Sequence, residues 1–342
     1  MKKKVIIIAE AGVNHNGDIN LAKKLIDVAA NAGADFIKFQ TYKTEKLVSK
    51  TALKAAYQIQ HFDKVDDTQF NMLKQLELSD SSHIELMEYA NEKGIAFLST
   101  AFDEESVDFL DKLGVPFFKI PSGELTNLPF LEHVASKGKP IVLSTGMATI
   151  DEVQEAVRIL KVNGVKKDDL IVLHCTTDYP TDFKDVHLGA MEIIQEECDV
   201  RVGYSDHTLG IEVAIAAVAR GAVLIEKHIT LDKSLPGPDH KASLEPDDLQ
   251  KMVQGIRNIE LAINGNKEKK PTESELVNRV VARKSIHLKS NLVKNHVLAK
   301  SDLIMLRPGD GISPMQIHTL IGKRLLSDLP AFHKLNYTDI SE

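Results

Sequence analysis

The sequence predicts a (β/α)8 barrel followed by a small C-terminal module. Three observations carry that prediction. Eight short runs of continuous apolar, often β-branched residues alternate with stretches of helical period between about residue 4 and about residue 265. Most intervals between runs are roughly 20 to 30 residues, the size of one βα unit. Near Asn264 the pattern gives way to NGNKEKKPTESE, a charged, breaker-rich segment that reads as a linker. A doubly wound open sheet is the runner-up, but it usually has fewer units.

Taken in order, the runs are VIIIAEAG from Val5, ADFIKFQ from Ala34, IAFLSTAF from Ile95 and PFFKIPSG from Pro116. PIVLSTG from Pro140, LIVLHC from Leu170, VRVGYSDH from Val200 and AVLIEKHIT from Ala222 follow. Continuous apolar character without alternation marks strands covered on both faces. The first intervening helix, INLAKKLIDVAANAG, is expected to bury Leu21, Leu25, Ile26 and Ala29 and to stop at Gly33. The second interval is about twice the usual length, and its excess, from Thr41 to about Leu78, is expected to act as a lid. The expected boundaries are a barrel over 1–265, a linker over 266–280 and a compact module over 281–342, whose small core leans on the barrel or on a partner.

Composition narrows the function. The 342-residue chain carries a formal net charge of −7, so it has no basic surplus for a nucleic-acid backbone. No apolar stretch approaches the roughly 18 residues of a membrane span. The run after Lys2-Lys3-Lys4 is cut short by Glu10, too early for a secretory signal. Two cysteines, Cys175 and Cys198, make no disulfide framework and point to a reducing, cytoplasmic setting.

In a barrel of this kind, functional groups gather where strands end. The strand ends here are polar: Glu10; Lys38 and Gln40; Ser99 and Thr100; Lys119, Ser122 and Glu124. Ser144, His174, Ser205 with His207, and Glu226 with His228 complete the series. Two lysines among strand-end hydroxyls suggest one site for a phosphate-bearing anion, although either lysine could be a structural ion pair. His207 and His228 end adjacent strands, about 4.8 Å apart, where two imidazoles can reach one divalent cation or simply bond to backbone carbonyls. Glu10 and Glu124 are the acid/base candidates, with a counter-ion role to the lysines as the plainer reading.

Several motifs together resemble the sialic acid synthases. They are IAEAGVNHNGDINLA from Ile8, KFQTYK from Lys38, FKIPSGELTNLP from Phe118, LSTGMATIDEV from Leu143 and HCTTDYP from His174. GYSDHT from Gly203, EKHITLDKSLPGPDHKASLEP from Glu226 and LRPGDGIS from Leu306 complete the set, nearly end to end and in order. The resemblance implies a C-terminal antifreeze-like (SAF, β-clip) domain after the TIM barrel. It implies condensation of phosphoenolpyruvate with an open-chain N-acetylmannosamine-type aldehyde and release of phosphate, giving N-acetylneuraminate. Lys38, Thr100, Lys119, Ser122, Ser144 and Ser205 then hold phosphoenolpyruvate. Thr177 stands where one branch of the family has a phosphate-contacting asparagine. Glu10, Gln40, Tyr179 and Asp239 face the sugar, and Glu124 lies near the reacting carbon. His207 and His228 match ligands for Mn²⁺, with Mg²⁺ or Co²⁺ as substitutes. Arg307 matches an arginine that completes the partner's site in a homodimer.

The same motifs resemble the N,N'-diacetyllegionaminate synthases comparably well. That alternative keeps the chemistry and changes the sugar to a 2,4-diacetamido-2,4,6-trideoxy hexose. A catalytically silent sugar-binding barrel and a Schiff-base aldolase are further alternatives. The full set of strand-end lysines and histidines with Glu124 argues against the silent barrel.

Overall fold

The computed structural model describes residues 4–54, 58–59, 68–265 and 268–341. They divide into two compact units, Met1–Gly265 and Asn266–Glu342. In the first unit eight parallel strands close into a barrel in chain order. They are β1 (Ile6–Gly12), β2 (Phe36–Thr41), β3 (Ala96–Ala101), β4 (Phe118–Ile120), β5 (Ile141–Ser144), β6 (Leu170–Cys175), β7 (Arg201–Asp206) and β8 (Leu224–His228). The barrel is the one its apolar runs predict, because strands covered on both faces need no polar alternation until they reach the mouth. Closure sets Glu10 opposite His228 on one side and opposite Lys38 on the other.

The helices pack outside this barrel. In α1 (Ile19–Ala32) the Asp18 side chain accepts from the Asn20 amide, and Gly33 ends the helix at φ 79°. Its buried stripe is Ala22, Leu25, Ile26 and Ala29. Ala22 therefore takes the place expected of Leu21, which is half-buried one position around the helix. The long second interval holds α2 (Thr44–Leu47) and α3 (Gln69–Leu76) before α4 (Asp80–Glu92) returns to the barrel wall. Residues 55–57 and 60–67 of that expected lid lie outside the described residues. Then come α5 (Glu104–Leu113), α6 (Leu128–Ala135), α7 (Ile150–Val162), α8 (Ala190–Cys198), α9 (Glu212–Ala219) and α10 (Pro246–Ile263). One apolar core joins sheet and helices, and a satellite cluster of Val13, Tyr42, Met72 and Leu76 lies beneath the insertion. No described helix is long and apolar enough to cross a membrane.

The second unit opens with α11 (Glu273–Ala282), which Thr272 and Glu275 start with a reciprocal capping box. It continues into an antiparallel pair, β9 (Ser285–Leu288) and β10 (Leu303–Leu306). Its own small core includes Ile286, Leu288, Leu298, Leu320, Leu325 and Leu335. Arg307 follows β10 and is exposed. The next turn is fastened by Ser285, whose hydroxyl donates to the Pro308 carbonyl at 2.6 Å and accepts from the Gly311 amide at 2.8 Å.

One buried ion pair fixes the end of the barrel. Asp206 and Lys227 are register partners on β7 and β8, and both are 0% exposed. They meet at 2.8 Å, and Lys227 also donates to the Thr208 carbonyl at 2.5 Å. Their chain neighbours His207 and His228 line the cavity described below, so strand alternation puts the pair behind it. Replacing Lys227 by alanine leaves the Asp206 carboxylate buried and without its counter-ion. The expected cost is about 3 to 5 kcal/mol, read from the urea midpoint. A loss below about 1 kcal/mol, the range of an exposed pair, would show that water reaches Asp206.

Candidate active site

The strand ends open into a cavity of about 380 Å³. Its floor is charged. Lys38 Nζ lies 2.9 Å from Glu10 Oε2 and donates to Thr100 Oγ1 at 2.7 Å. Lys119 Nζ donates to Ser144 Oγ at 2.7 Å. Glu226 spans the two ammonium groups, 3.7 Å from Lys38 and 3.6 Å from Lys119. Burial works against the charge on Lys38, but Glu10 and Glu226 overcome it and hold its pKa above the ordinary value. At Lys119 burial wins and the pKa falls, with Glu226 only partly offsetting it.

The two carboxyl groups separate accordingly. Burial raises Glu10 to about 8, opposed by Lys38 and reinforced by Glu226. Glu226 is also penalised by burial, yet the two lysines carry it below the usual carboxylate range. The floor therefore holds one protonated and one ionised carboxyl group near neutral pH.

Hydroxyl groups line the side next to Lys119. Ser122 Oγ accepts from the Gly146 amide at 2.9 Å and lies 3.3 Å from Cys175 Sγ. Thr177 Oγ1 is buried with no hydrogen-bond partner. A Cβ on Gly146 would come within 2.1 Å of that Thr177 oxygen and 2.9 Å of Ser122 Oγ. Glycine is required there for the hydroxyls to converge. Ser205 Oγ, 3.3 Å from Glu226 Oε1, closes the ring.

The histidine pair stands beside this ring. The His207 and His228 ring centroids are 5.4 Å apart. His207 Nδ1 lies 2.6 Å from the Thr176 carbonyl, which can only accept, so Nδ1 carries the proton and Nε2 presents a lone pair. Burial lowers His207 to about 4 and His228 well below its ordinary value, so both rings are neutral. His228 Nδ1 is buried and has no hydrogen-bond partner. Two neutral imidazoles, one with an orphaned nitrogen, fit a divalent cation that takes its other ligands from water or substrate. No group of three His, Cys, Asp or Glu side chains gathers for a metal among the described residues. Tyr179 covers the pair, its ring 4.1 Å from that of His207. Asp239 Oδ2 is 3.8 Å from His228 Nδ1, and burial raises its pKa to about 7.

Thus Glu10, Lys38, Gln40, Thr100, Lys119, Ser122, Ser144, Thr177, Tyr179, Ser205, His207, His228 and Asp239 line one cavity. Two selected residues do not. Glu124 sits half-buried on the turn after β4, where Asn127 Nδ2 donates to its carboxylate at 2.5 Å, and it is not part of the cavity wall. Arg307 belongs to the second unit. The carboxylate that does enter the floor is Glu226. It was visible at the end of strand 8, and the signal that selects it is alternation: two residues before His228, it must face the same way. His174 turns instead to the Val186 carbonyl at 2.7 Å, a structural bond.

The profile of the NeuB family matches residues 25–269. The chain belongs to the NeuB family. Two curated relatives are N,N'-diacetyllegionaminic acid synthases. That of Legionella pneumophila is 51% identical, with 95% of this chain and 91% of the relative covered. That of Campylobacter jejuni is 50% identical, with 94% and 96% covered. Among solved structures, the N-acetylneuraminic acid (sialic acid) synthetase of Leptospira borgpetersenii, crystallised with citrate, is 36% identical with a TM-score of 0.69. That match covers 81% of this chain and 90% of that one.

Buried histidines of this NeuB barrel also contribute to its acid sensitivity. Burial lowers His15 and His240 to about 4. Between an ordinary imidazole value near 6.5 and about 4, the unfolded chain binds protons that the folded chain refuses. The stability these groups contribute is present above 6.5 and is lost as pH falls through that window. Each adds a slope of about 1.4 kcal/mol per pH unit. Urea midpoints at pH 7 and pH 5 should therefore fall less for His15→Gln than for the parent. Equal falls would show that His15 titrates normally in the folded state.

Proposed function

We propose that this chain condenses phosphoenolpyruvate with an open-chain N-acetylated hexosamine, releasing phosphate, and that its product is N,N'-diacetyllegionaminate. The carrying observation is the floor itself: Lys38 and Lys119, bridged by Glu226 and ringed by hydroxyls, beside a neutral histidine pair in one cavity. The choice of sugar reverses the order set from motifs, which put N-acetylneuraminate first. The legionaminic relatives are 51% and 50% identical, whereas the neuraminic structure is 36% identical. The proposed sugar is accordingly 2,4-diacetamido-2,4,6-trideoxymannose.

In this reading Lys38 and Lys119 take the phosphate charge, and Thr100, Ser122, Ser144, Thr177 and Ser205 donate to its oxygens. C3 of phosphoenolpyruvate attacks the sugar aldehyde carbon, forming the new C–C bond. The aldehyde oxygen gains a proton, which Glu10 holds near neutral pH because of its raised pKa of about 8. The new C–C bond takes the C2=C3 electron pair and leaves C2 oxocarbenium-like; water adds to C2 and gives its proton to an ionised carboxylate, a role we assign to the cavity-lining Glu226 in place of Glu124. Cleavage of the C2–O bond then expels phosphate. Gln40, Tyr179 and Asp239 orient the sugar. His207 and His228 would hold Mn²⁺, or Mg²⁺ or Co²⁺ in its place, which when bound supplies Lewis-acid polarisation of the aldehyde oxygen. The proposed setting is the cytoplasm, consistent with two free, buried cysteines.

Purified protein given phosphoenolpyruvate and each sugar in turn should release phosphate with both. Its kcat/KM should be about tenfold or more higher for the diacetamido sugar, whose product mass identifies it. EDTA should abolish both activities and Mn²⁺ should restore them. No phosphate release with either sugar would reject the condensation, and a preference for N-acetylmannosamine would reject the legionaminate reading alone.

We further propose that the second unit is an antifreeze-like domain and that the protein is a homodimer in which Arg307 completes the partner's site. Support comes from the LRPGDGIS motif and the exposed position of Arg307. Inactive His207→Ala and Arg307→Ala subunits, mixed in equal amounts, should regain about a quarter of parent activity by random pairing in a two-fold dimer. Absence of rescue, with subunit exchange shown by native mass spectrometry, would place each site within one chain.

A further inference from the structure

The cavity has two unlike faces. Its floor and strand-end side carry the charged and hydroxyl groups. On the side of the long insertion, among the described residues, the wall carries Gln58 and Gln69 but is otherwise apolar: Val13 after β1, Leu47 and Val48 at the end of α2, and Met72, Leu73 and Leu76 along α3. This wall is continuous with the satellite cluster, in which Val13, Met72 and Leu76 are buried and Leu47 and Leu73, half-buried, offer the accessible surface. Leu76 lies four residues after Met72 and three after Leu73, so it joins both on one turn of α3 in an apolar strip. Tyr42 braces that strip from behind, its hydroxyl donating to the Leu73 carbonyl at 3.1 Å.

Such a wall discriminates by chemistry. A hydroxyl pressed against its aliphatic part, Leu47 and Leu73, loses water and finds no donor or acceptor on those side chains, which is costly. A methyl group gains by the same contact. An ordinary hexosamine chain carries oxygen on every carbon beyond its acetamido group. A trideoxy, diacetamido chain ends in a methyl group and carries a second acetyl methyl. Glu10 and Gln40 line the same cavity as Val13, so a sugar held by them has this wall within its reach.

We infer that Leu47 and Leu73, backed by the buried Met72, form an apolar subsite that selects a sugar deoxygenated at its far end and acylated at its second nitrogen. The inference rests on the reading under Proposed function and adds the residues that enforce the choice of sugar. Leu47 and Leu73 belong to different helices and are half-buried, so each can be made polar with little disturbance of the core.

The test compares the parent with Leu73→Gln and Leu47→Gln, using phosphoenolpyruvate with 2,4-diacetamido-2,4,6-trideoxymannose and with N-acetylmannosamine. Each variant should lower the ratio of kcat/KM for the diacetamido sugar over N-acetylmannosamine by about tenfold. The KM for phosphoenolpyruvate should stay within about twofold, and Leu73→Met should keep the parent ratio. If both glutamine variants lose the two activities equally, the wall is packing alone and the inference fails while the proposed function stands. If the parent does not prefer the diacetamido sugar, the inference falls together with the legionaminate reading.

Discussion

The molecule is organised around one electrostatic constraint: two ammonium groups stand in a buried barrel mouth. A buried cation is tolerable only with a partner. Lys38 and Lys119 share Glu226, and Lys38 has Glu10 besides. These partners come from β1 and β8, the strands whose pairing closes the ring, so charge compensation and barrel closure are one event. The same arrangement divides the carboxyl groups into an ionised one and a protonated one. With Glu10 protonated, one carboxylate faces two ammonium groups, so the floor keeps a surplus of positive charge that suits an anion.

Strand alternation makes a second layer out of the same residues. Ser205, His207, Glu226 and His228 face the cavity, while Asp206 and Lys227 face away and lock β7 to β8. The histidine positions thus rest on an ion pair that touches no substrate. The insertion brings aliphatic side chains to the same cavity, so the chamber joins a region suited to an anion with one suited to hydrocarbon.

Much of this was legible in the sequence. Fully covered strands have a continuous apolar signature, and that found all eight. Polar residues interrupting that signature at strand ends found most of the cavity floor. What the sequence did not place has physical causes. Glu124 and Glu226 are both strand-end acids, and only three-dimensional structure shows that a 3-10 turn carries the first aside to Asn127 while alternation carries the second inward. Leu21 and Ala22 differ by one step around a helix, and an alanine packing close to the sheet cannot be told from a leucine stripe by period alone. The apolar rim could not be read either, since residues of α2 and α3 meet Val13 only across a folded insertion.

Gly146 has a meaning at the level of the gene. Any glycine codon is one base from an alanine codon, a change usually regarded as mild. Here the added carbon would strike no backbone; it would meet the Thr177 and Ser122 hydroxyls at 2.1 and 2.9 Å. Those side-chain ends can rotate away, so the polypeptide would still fold and accumulate. Selection at this codon therefore acts on turnover, with little pull from protein abundance, and the allele would pass unnoticed in any survey that counts only how much protein a cell contains.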